Sequence, residues 1–176
     1  GCFRNEQSYV YWELFQFAYD GREFRIAQSE RVRFADLLPG RLLVDIPLRT
    51  AIPDGDDLLA GVTAGFEGAT DADLMSGSER HGAGVLRWRR GPGGWRPAAF
   101  TPVAFDFACT EPSLVRDTDG ALLFTVRPGY KDERKHDAIV WRSRDGGASW
   151  DKIVHARNLR YQSPVTLNTA ADGAAP

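Results

Sequence analysis

Apolar residues along this chain come in short runs that alternate with polar turns containing Gly, Asp or Pro. The clearest case lies between residues 110 and 155, where residues 121–126 form an almost continuous apolar run. Such a run is typical of a strand buried on both faces. Shorter apolar segments at 112–115, 137–143 and 150–155 surround it, separated by turns or polar loops. The pattern predicts four antiparallel strands in this stretch.

The same pattern recurs after roughly fifty residues, which indicates a repeat architecture. Pro112 and Gly120 are matched by Pro164 and Gly173. Four antiparallel strands in about fifty residues are the size of one β-propeller blade. We therefore predict an all-β fold, a partial β-propeller of four-stranded antiparallel blades in a single incomplete domain spanning residues 1–176. The approximate blade boundaries are 1–48, 49–108, 109–160 and 161–176.

The first fifty residues carry a hairpin signal. Residues 8–18 and 22–28 flank an Asp-Gly pair at 20–21, and residues 41–48 predict another strand. Helix signals are poor throughout. The abundance of Gly and Pro, together with five Trp and ten Phe, favours a turn-rich β protein over a helical bundle.

Composition narrows the classes of function. The chain is 43% hydrophobic with a formal net charge of -2, which excludes a disordered segment. Near-neutral charge argues against nucleic acid as the main partner, because such binding favours a basic surface. No apolar run approaches the about 20 residues of a membrane-spanning helix.

Cys2 and Cys109 stand far apart in the sequence, where unpaired thiols are commoner than a disulfide, although pairing stays open. The three histidines at 81, 136 and 155 lack metal-ligand spacing, so we predict no metal and no cofactor.

The two ends of the sequence predict that the chain is part of a longer protein. It begins Gly-Cys-Phe with no initiator Met or visible signal peptide, and residues 171–176 resemble a turn leading into a further strand. Closed propellers have about four to eight blades, so an unclosed set would leave sheet faces and edges bare. We expect this chain alone to be inactive and poorly soluble. A compact four-bladed ring completed by the N-terminal hairpin is the structural alternative.

Residues 143–150 form the most specific motif. They fit Ser-x-Asp-x-Gly-x-x-Trp at all four fixed positions, which are Ser143, Asp145, Gly147 and Trp150. Asp145 can accept backbone N–H groups inside a turn, and Gly147 can supply a positive φ that other residues resist. Trp150 can cover the hairpin with a large apolar face, and Ser143 can bond the turn from the preceding strand. All four are therefore predicted to be structural.

This motif and its surroundings resemble the Asp-box, or BNR, repeat of sialidases and related β-propellers. The resemblance includes Glu-Pro-Ser-Leu at 111–114, Asp-Gly-Ala-Leu-Leu-Phe at 119–124 and the strand that runs into the Asp-box at 137–147. It implies six blades in the complete protein and exo-α-sialidase activity on terminal acidic sugars of glycans. Enzymes of that family hold the sugar carboxylate with three Arg and use an Asp as acid/base. Their nucleophile is a Tyr paired with a Glu, which would lie beyond residue 176 here.

The resemblance assigns roles to individual residues. Arg127 follows the apolar strand at the position of a carboxylate-binding Arg, and Asp132 in the next loop corresponds to the acid/base. Arg25, within Phe-Arg-Ile, and Arg160, before the next predicted inner strand, are further candidates for substrate binding. Asp132 also lies in a mixed charge run, which is commonly a solvated loop, and Arg127 could simply pair with it.

One position departs from the family pattern. Where an Arg often stands two residues before the Pro, this chain has Thr110, followed by Glu111. A Glu on a predicted inner strand is costly unless it faces the channel, so Glu111 is the second candidate catalytic residue.

Two other functions stay open on the sequence. Asp-boxes also occur in non-catalytic propellers that bind glycans or proteins, and a fold does not determine a function. A glycosidase for a neutral or uronic sugar could use Glu111 as one of two carboxylates. Thr110 in place of an Arg favours a non-catalytic propeller or a different substrate. The predicted partner of an enzyme here is a carbohydrate, and a secreted or periplasmic location is suggested by the resemblance alone.

Overall fold

The computed structural model describes residues 11–33, 43–45, 51–66, 81–92, 94–129, 133 and 137–157. Within these ranges every regular element is a β-strand and none is a helix, which confirms the all-β prediction. No helix in this described part is long and apolar enough to cross a bilayer. The strands are β1 (Tyr11–Tyr19), β2 (Phe24–Arg33), β3 (Leu43–Asp45), β4 (Ile52–Asp54), β5 (Asp57–Gly65), β6 (His81–Gly91), β7 (Gly94–Ala104), β8 (Cys109–Arg116), β9 (Leu122–Pro128), β10 (Ala138–Ser143) and β11 (Asp151–Ala156).

The last four strands form one antiparallel sheet in the order β11-β10-β9-β8, which we call the C-terminal sheet. Each strand pairs with the one before it in sequence, so the four strands predicted between residues 110 and 155 are confirmed. The register shifts between Thr110 and Ser113 on β8 and between Val140 and Trp141 on β10. β9 is largely buried along its length, as its apolar run requires.

The preceding sheet, here called the central sheet, has a matching arrangement. Its strands are ordered β3-β5-β6-β7, and β4 also pairs with β5. The short strands β3 and β4 lie along one edge of β5, β3 beside Thr63 and Ala64 and β4 beside residues 57–59. The C-terminal sheet is thus a meander of four strands, and the central sheet is a meander of three long strands, β5, β6 and β7, with the short strands β3 and β4 in the fourth strand position beside β5.

The two sheets pack face to face through a shared apolar core. Its large buried members include Leu59 and Val85 from the central sheet and Leu114, Phe124 and Trp141 from the C-terminal sheet. The rings of Phe124 and Trp141 meet edge to face with centroids 6.2 Å apart. This core holds β8 against β5 and β6.

A second apolar cluster covers the other face of the central sheet. Val62, Leu86 and Trp88 are its largest buried members, and Phe100 and Phe105 pack against it. The central sheet is thus buried on both faces, which explains why β5 carries little alternation between apolar and polar residues.

The first two strands form a separate antiparallel hairpin. Its turn contains Asp20 and Gly21, as the sequence predicted, and Gly21 has a φ of 94°. Tyr19 pairs with Phe24, and their rings stack with centroids 4.6 Å apart while both side chains remain exposed. β3, which lies within the predicted strand 41–48, joins the central sheet instead.

We expect Phe124→Ala to lower the free energy of unfolding by about 3–5 kcal/mol, because truncating a buried aromatic ring loses apolar burial and leaves a cavity. Phe124 is 0% exposed and contacts the rings of both Trp141 and Trp150. Ile153→Ala is the control, since Ile153 is 48% exposed and should change stability by less than about 1 kcal/mol. Denaturant titration measures both values, and equal losses would contradict the assigned core.

Candidate functional site

The strand ends of one sheet lie beside the strand ends of the other, so the two sheets share two common ends. At one end, His81 at the start of β6 donates a hydrogen bond from Nδ1 to the Cys109 carbonyl at the start of β8, at 2.6 Å. At the other end, Arg87 on β6 donates to the Gly146 carbonyl in the Asp-box turn, at 3.0 Å. We call these the Glu111 end and the Asp-box end. Both cross-sheet contacts show that the ends of the two sheets coincide.

Two of the candidate residues form an ion pair at the Glu111 end. Arg127 Nη2 lies 3.0 Å from Glu111 Oε1, and the two side chains are only 17% and 18% exposed. Thr110 is the cross-strand neighbour of Arg127, so β8 and β9 bring the pair together at the point where β9 ends. Partial shielding from water strengthens such a pair relative to one on an open surface.

The backbone of Glu111 is unusual. Its φ is 52°, the single positive value among the non-glycine residues that the structure describes. The residue lies in the irregular pairing between Thr110 and Ser113, where β8 bulges away from regular register with β9. Non-glycine residues in this conformation are strained, by on the order of 1–3 kcal/mol, and such strain concentrates at functional sites. The strain therefore singles out Glu111 independently of its charge.

Three further polar side chains at the Glu111 end have no part in the sequence prediction. His155 Nε2 donates to Asp137 Oδ2 at 2.7 Å, and the Asp137 side chain is largely buried. His81 bonds the backbone of β8 as described, next to Cys109, a buried thiol whose Sγ lies 3.4 Å from the Ala104 carbonyl. The pairing of Ile139 with His155 brings this histidine to the start of β10, next to Asp137.

Two predicted site residues, Asp132 and Arg160, lie outside the described residues. In the sequence, Asp132 falls between β9 and β10. Gly129 directly follows β9 and Asp137 directly precedes β10, and both lie at the Glu111 end. Gly129 donates its backbone N–H to the Ala108 carbonyl at 2.8 Å, which ties the end of β9 to the start of β8.

Arg25 lies on the separate hairpin. Its Nη2 is 2.6 Å from Asp20 Oδ2, and its side chain is 64% exposed. A second ion pair joins it to Glu23 in the same turn. These contacts make Arg25 part of the hairpin's own polar face.

The Asp-box forms a closed set of hydrogen bonds in the β10–β11 turn. Ser143 Oγ donates to Asp145 Oδ1 at 2.8 Å and accepts from Gly147 N at 2.8 Å. Asp145 also accepts the backbone N–H of Ser149 at 2.9 Å, and Trp150 Nε1 donates to the Gly147 carbonyl at 3.1 Å. Gly147 has a φ of 94°, and the Trp150 ring packs on the core. These hydrogen bonds stabilise the turn.

Comparisons with family models, curated proteins and solved structures find no match to this chain. Nor do the described ranges contain a cluster of three or more residues that could hold a metal ion.

Ion pairs at the Asp-box end link the two sheets. Arg87 contacts Asp54 at 2.7 Å and Asp57 at 3.2 Å, and Arg116 from the C-terminal sheet contacts Asp54 at 2.6 Å. Burial raises the pKa of Asp54, but its hydrogen bonds with Arg87 and Arg116 outweigh that effect and leave the pKa below its usual value. Within the C-terminal sheet, Arg142 contacts Asp119. Each of these arginines is held by a carboxylate of the fold, as Arg127 is held by Glu111 at the other end.

We expect the Asp-box carboxylate to make stability depend on pH below about 4. Hydrogen bonds from Ser149 and then from Ser143 lower the pKa of Asp145 from its ordinary value of 3.8. Its contribution is therefore complete above the ordinary pKa and is lost as pH falls through the lowered folded-state pKa. Asp145→Asn should be less stable than wild type at pH 7, and the difference should shrink as the pH falls toward 2.

Thermal unfolding across pH 2–7 measures this difference. Asp56→Asn, at an exposed position in the β4–β5 turn, is the matched control and should follow the wild-type profile. A constant difference between Asp145→Asn and wild type over this range would show that the Asp145 carboxylate does not contribute through its charge.

Proposed function

We propose that the two face-packed sheets are neighbouring blades of a sialidase-like β-propeller, and that the complete protein is a glycoside hydrolase acting on terminal acidic sugars of glycans. The matching strand order of the two sheets supports this reading, as does their face-to-face packing with the same ends together. The Asp-box turn lies at one end, and the Glu111–Arg127 pair lies at the other. Propellers bind ligands at one mouth, to which one end of every blade contributes.

The Glu111–Arg127 pair carries the proposal. Arg127 presents a guanidinium, whose geometry suits a sugar carboxylate, at a shielded position beside a strained residue. Asp132, in the segment between Gly129 and Asp137, is proposed as the acid/base. The nucleophile is proposed to be a Tyr activated by a Glu elsewhere in the complete protein, because free Tyr is a poor nucleophile with a pKa of about 10.

The same pair favours a second candidate, a glycosidase for a neutral sugar. Glu111 already matches the charge of Arg127, so this part of the site has no net charge to attract an anionic substrate. Glu111 would then serve as one of the two carboxylates of a glycosidase. A carboxylate paired with an arginine suits the role of base or nucleophile better than that of proton donor.

We expect Arg127→Ala to lower kcat/KM of the complete protein on a fluorogenic α-sialoside by about a hundredfold, equivalent to about 2.7 kcal/mol. The loss arises because the substrate carboxylate loses a charged partner. Arg89→Ala, which removes an exposed arginine at the Asp-box end, is the control and should leave turnover unchanged. Arg127→Lys keeps the positive charge and removes the guanidinium. Thermal unfolding of Arg127→Ala, Arg127→Lys and wild type shows whether a loss of turnover reflects a loss of the folded state.

A parallel assay with fluorogenic neutral glycosides distinguishes the two candidates. Turnover of the sialoside alone supports the first, and turnover of a neutral glycoside alone supports the second. Wild-type-like turnover of the sialoside by Arg127→Ala would remove Arg127 from the site. Turnover of no substrate by the complete protein would contradict both glycosidase candidates.

A further inference from the structure

We propose that Glu111 is a built-in counter-ion that competes with acidic sugars for Arg127 and so determines how strongly the site prefers charged ligands. This inference rests on the proposed function, since it concerns the ligand of the same site. It assigns Glu111 a role in specificity and none in bond cleavage.

The geometry places Glu111 where a ligand carboxylate would have to bind. Its Oε1 lies 3.0 Å from Arg127 Nη2, the distance at which a sugar carboxylate would contact the same nitrogen. Two carboxylates at one guanidinium repel each other, and partial burial increases that repulsion. An acidic sugar therefore competes with Glu111 for Arg127 Nη2 and binds against the repulsion of the Glu111 carboxylate.

The backbone keeps Glu111 in this position at an energetic cost. Its φ of 52° is maintained by regular pairing on both sides, Cys109 with Pro128 before it and Ser113 with Thr125 after it. The strained geometry holds the carboxylate at the point where β8 and β9 reach the Glu111 end.

Because Glu111 compensates the charge of Arg127, the site should treat charged and uncharged ligands differently from a site with an unpaired arginine. An uncharged analogue of an acidic sugar does not compete with Glu111 and is not repelled by its carboxylate. Removing the charge of Glu111 should therefore strengthen binding of the acid selectively. If Glu111 merely positioned Arg127, the same change would weaken binding of the acid.

The experiment compares two probes, the α-methyl glycoside of N-acetylneuraminic acid and its uncharged methyl ester, by calorimetric titration of the complete protein. Glu111→Gln keeps the size and hydrogen-bonding ability of the side chain while removing its charge. We expect this variant to bind the acid about tenfold more tightly, equivalent to about 1.4 kcal/mol, with binding of the ester unchanged. Asp119→Asn, which alters a carboxylate paired with Arg142 at the opposite end of the same sheet, should change neither affinity.

A second readout separates this inference from the proposed function. Sulfate, titrated in a thermal-unfolding assay, should raise the Tm of Glu111→Gln more than that of wild type or Asp119→Asn. A sulfate response without sugar binding or turnover would support the counter-ion and contradict the proposed glycan function. Sialoside turnover with weaker or unchanged acid binding by Glu111→Gln would overturn the counter-ion role while leaving the hydrolase standing. Absence of both responses would overturn both.

Discussion

The two sheets are held together where β5 and β8 lie so close that position 61 on β5 accommodates little besides glycine. A Cβ at Gly61 would lie 3.1 Å from Pro112 Cβ and 3.4 Å from the Phe124 ring. The large side chains of the shared core, Phe124 and Trp141 among them, then fill the space on either side. Because this packing fixes the sheets relative to each other, it also places His81 against β8 and Arg87 against the Asp-box turn.

The two ends created by that packing differ in chemical character. At the Asp-box end, Asp54 and Asp145 accept several hydrogen bonds each, and arginines from both sheets are bound to fixed acceptors. At the Glu111 end, a strained residue holds a partly shielded carboxylate against Arg127. Stabilising contacts therefore occur at both ends, while the strained residue, Glu111, lies at the Glu111 end. Backbone strain of this kind is found most often at functional sites.

Local patterns in the sequence predicted many elements correctly. The four strands of the C-terminal sheet follow from the alternation of apolar runs and turns, and the first hairpin follows from Asp20 and Gly21. Pairing between distant segments was harder to predict. β3 joins β5 across intervening residues, although the approximate blade ranges placed residues 1–48 together. Such pairing depends on register and on competition among strand edges, which a local pattern does not encode.

The sequence by itself determined the turn of residues 143–150, because its hydrogen bonds join residues at most four positions apart and need only the turn to form. It also identified Glu111 and Arg127 as separate candidates from their places beside predicted strands. Only the tertiary structure decided that these two side chains bind each other, and that His155 bonds Asp137. Those contacts require a specific register between strands and a bulge in β8. A shift of one residue would turn the side chains to opposite faces, so their meeting follows from sheet assembly and not from sequence spacing.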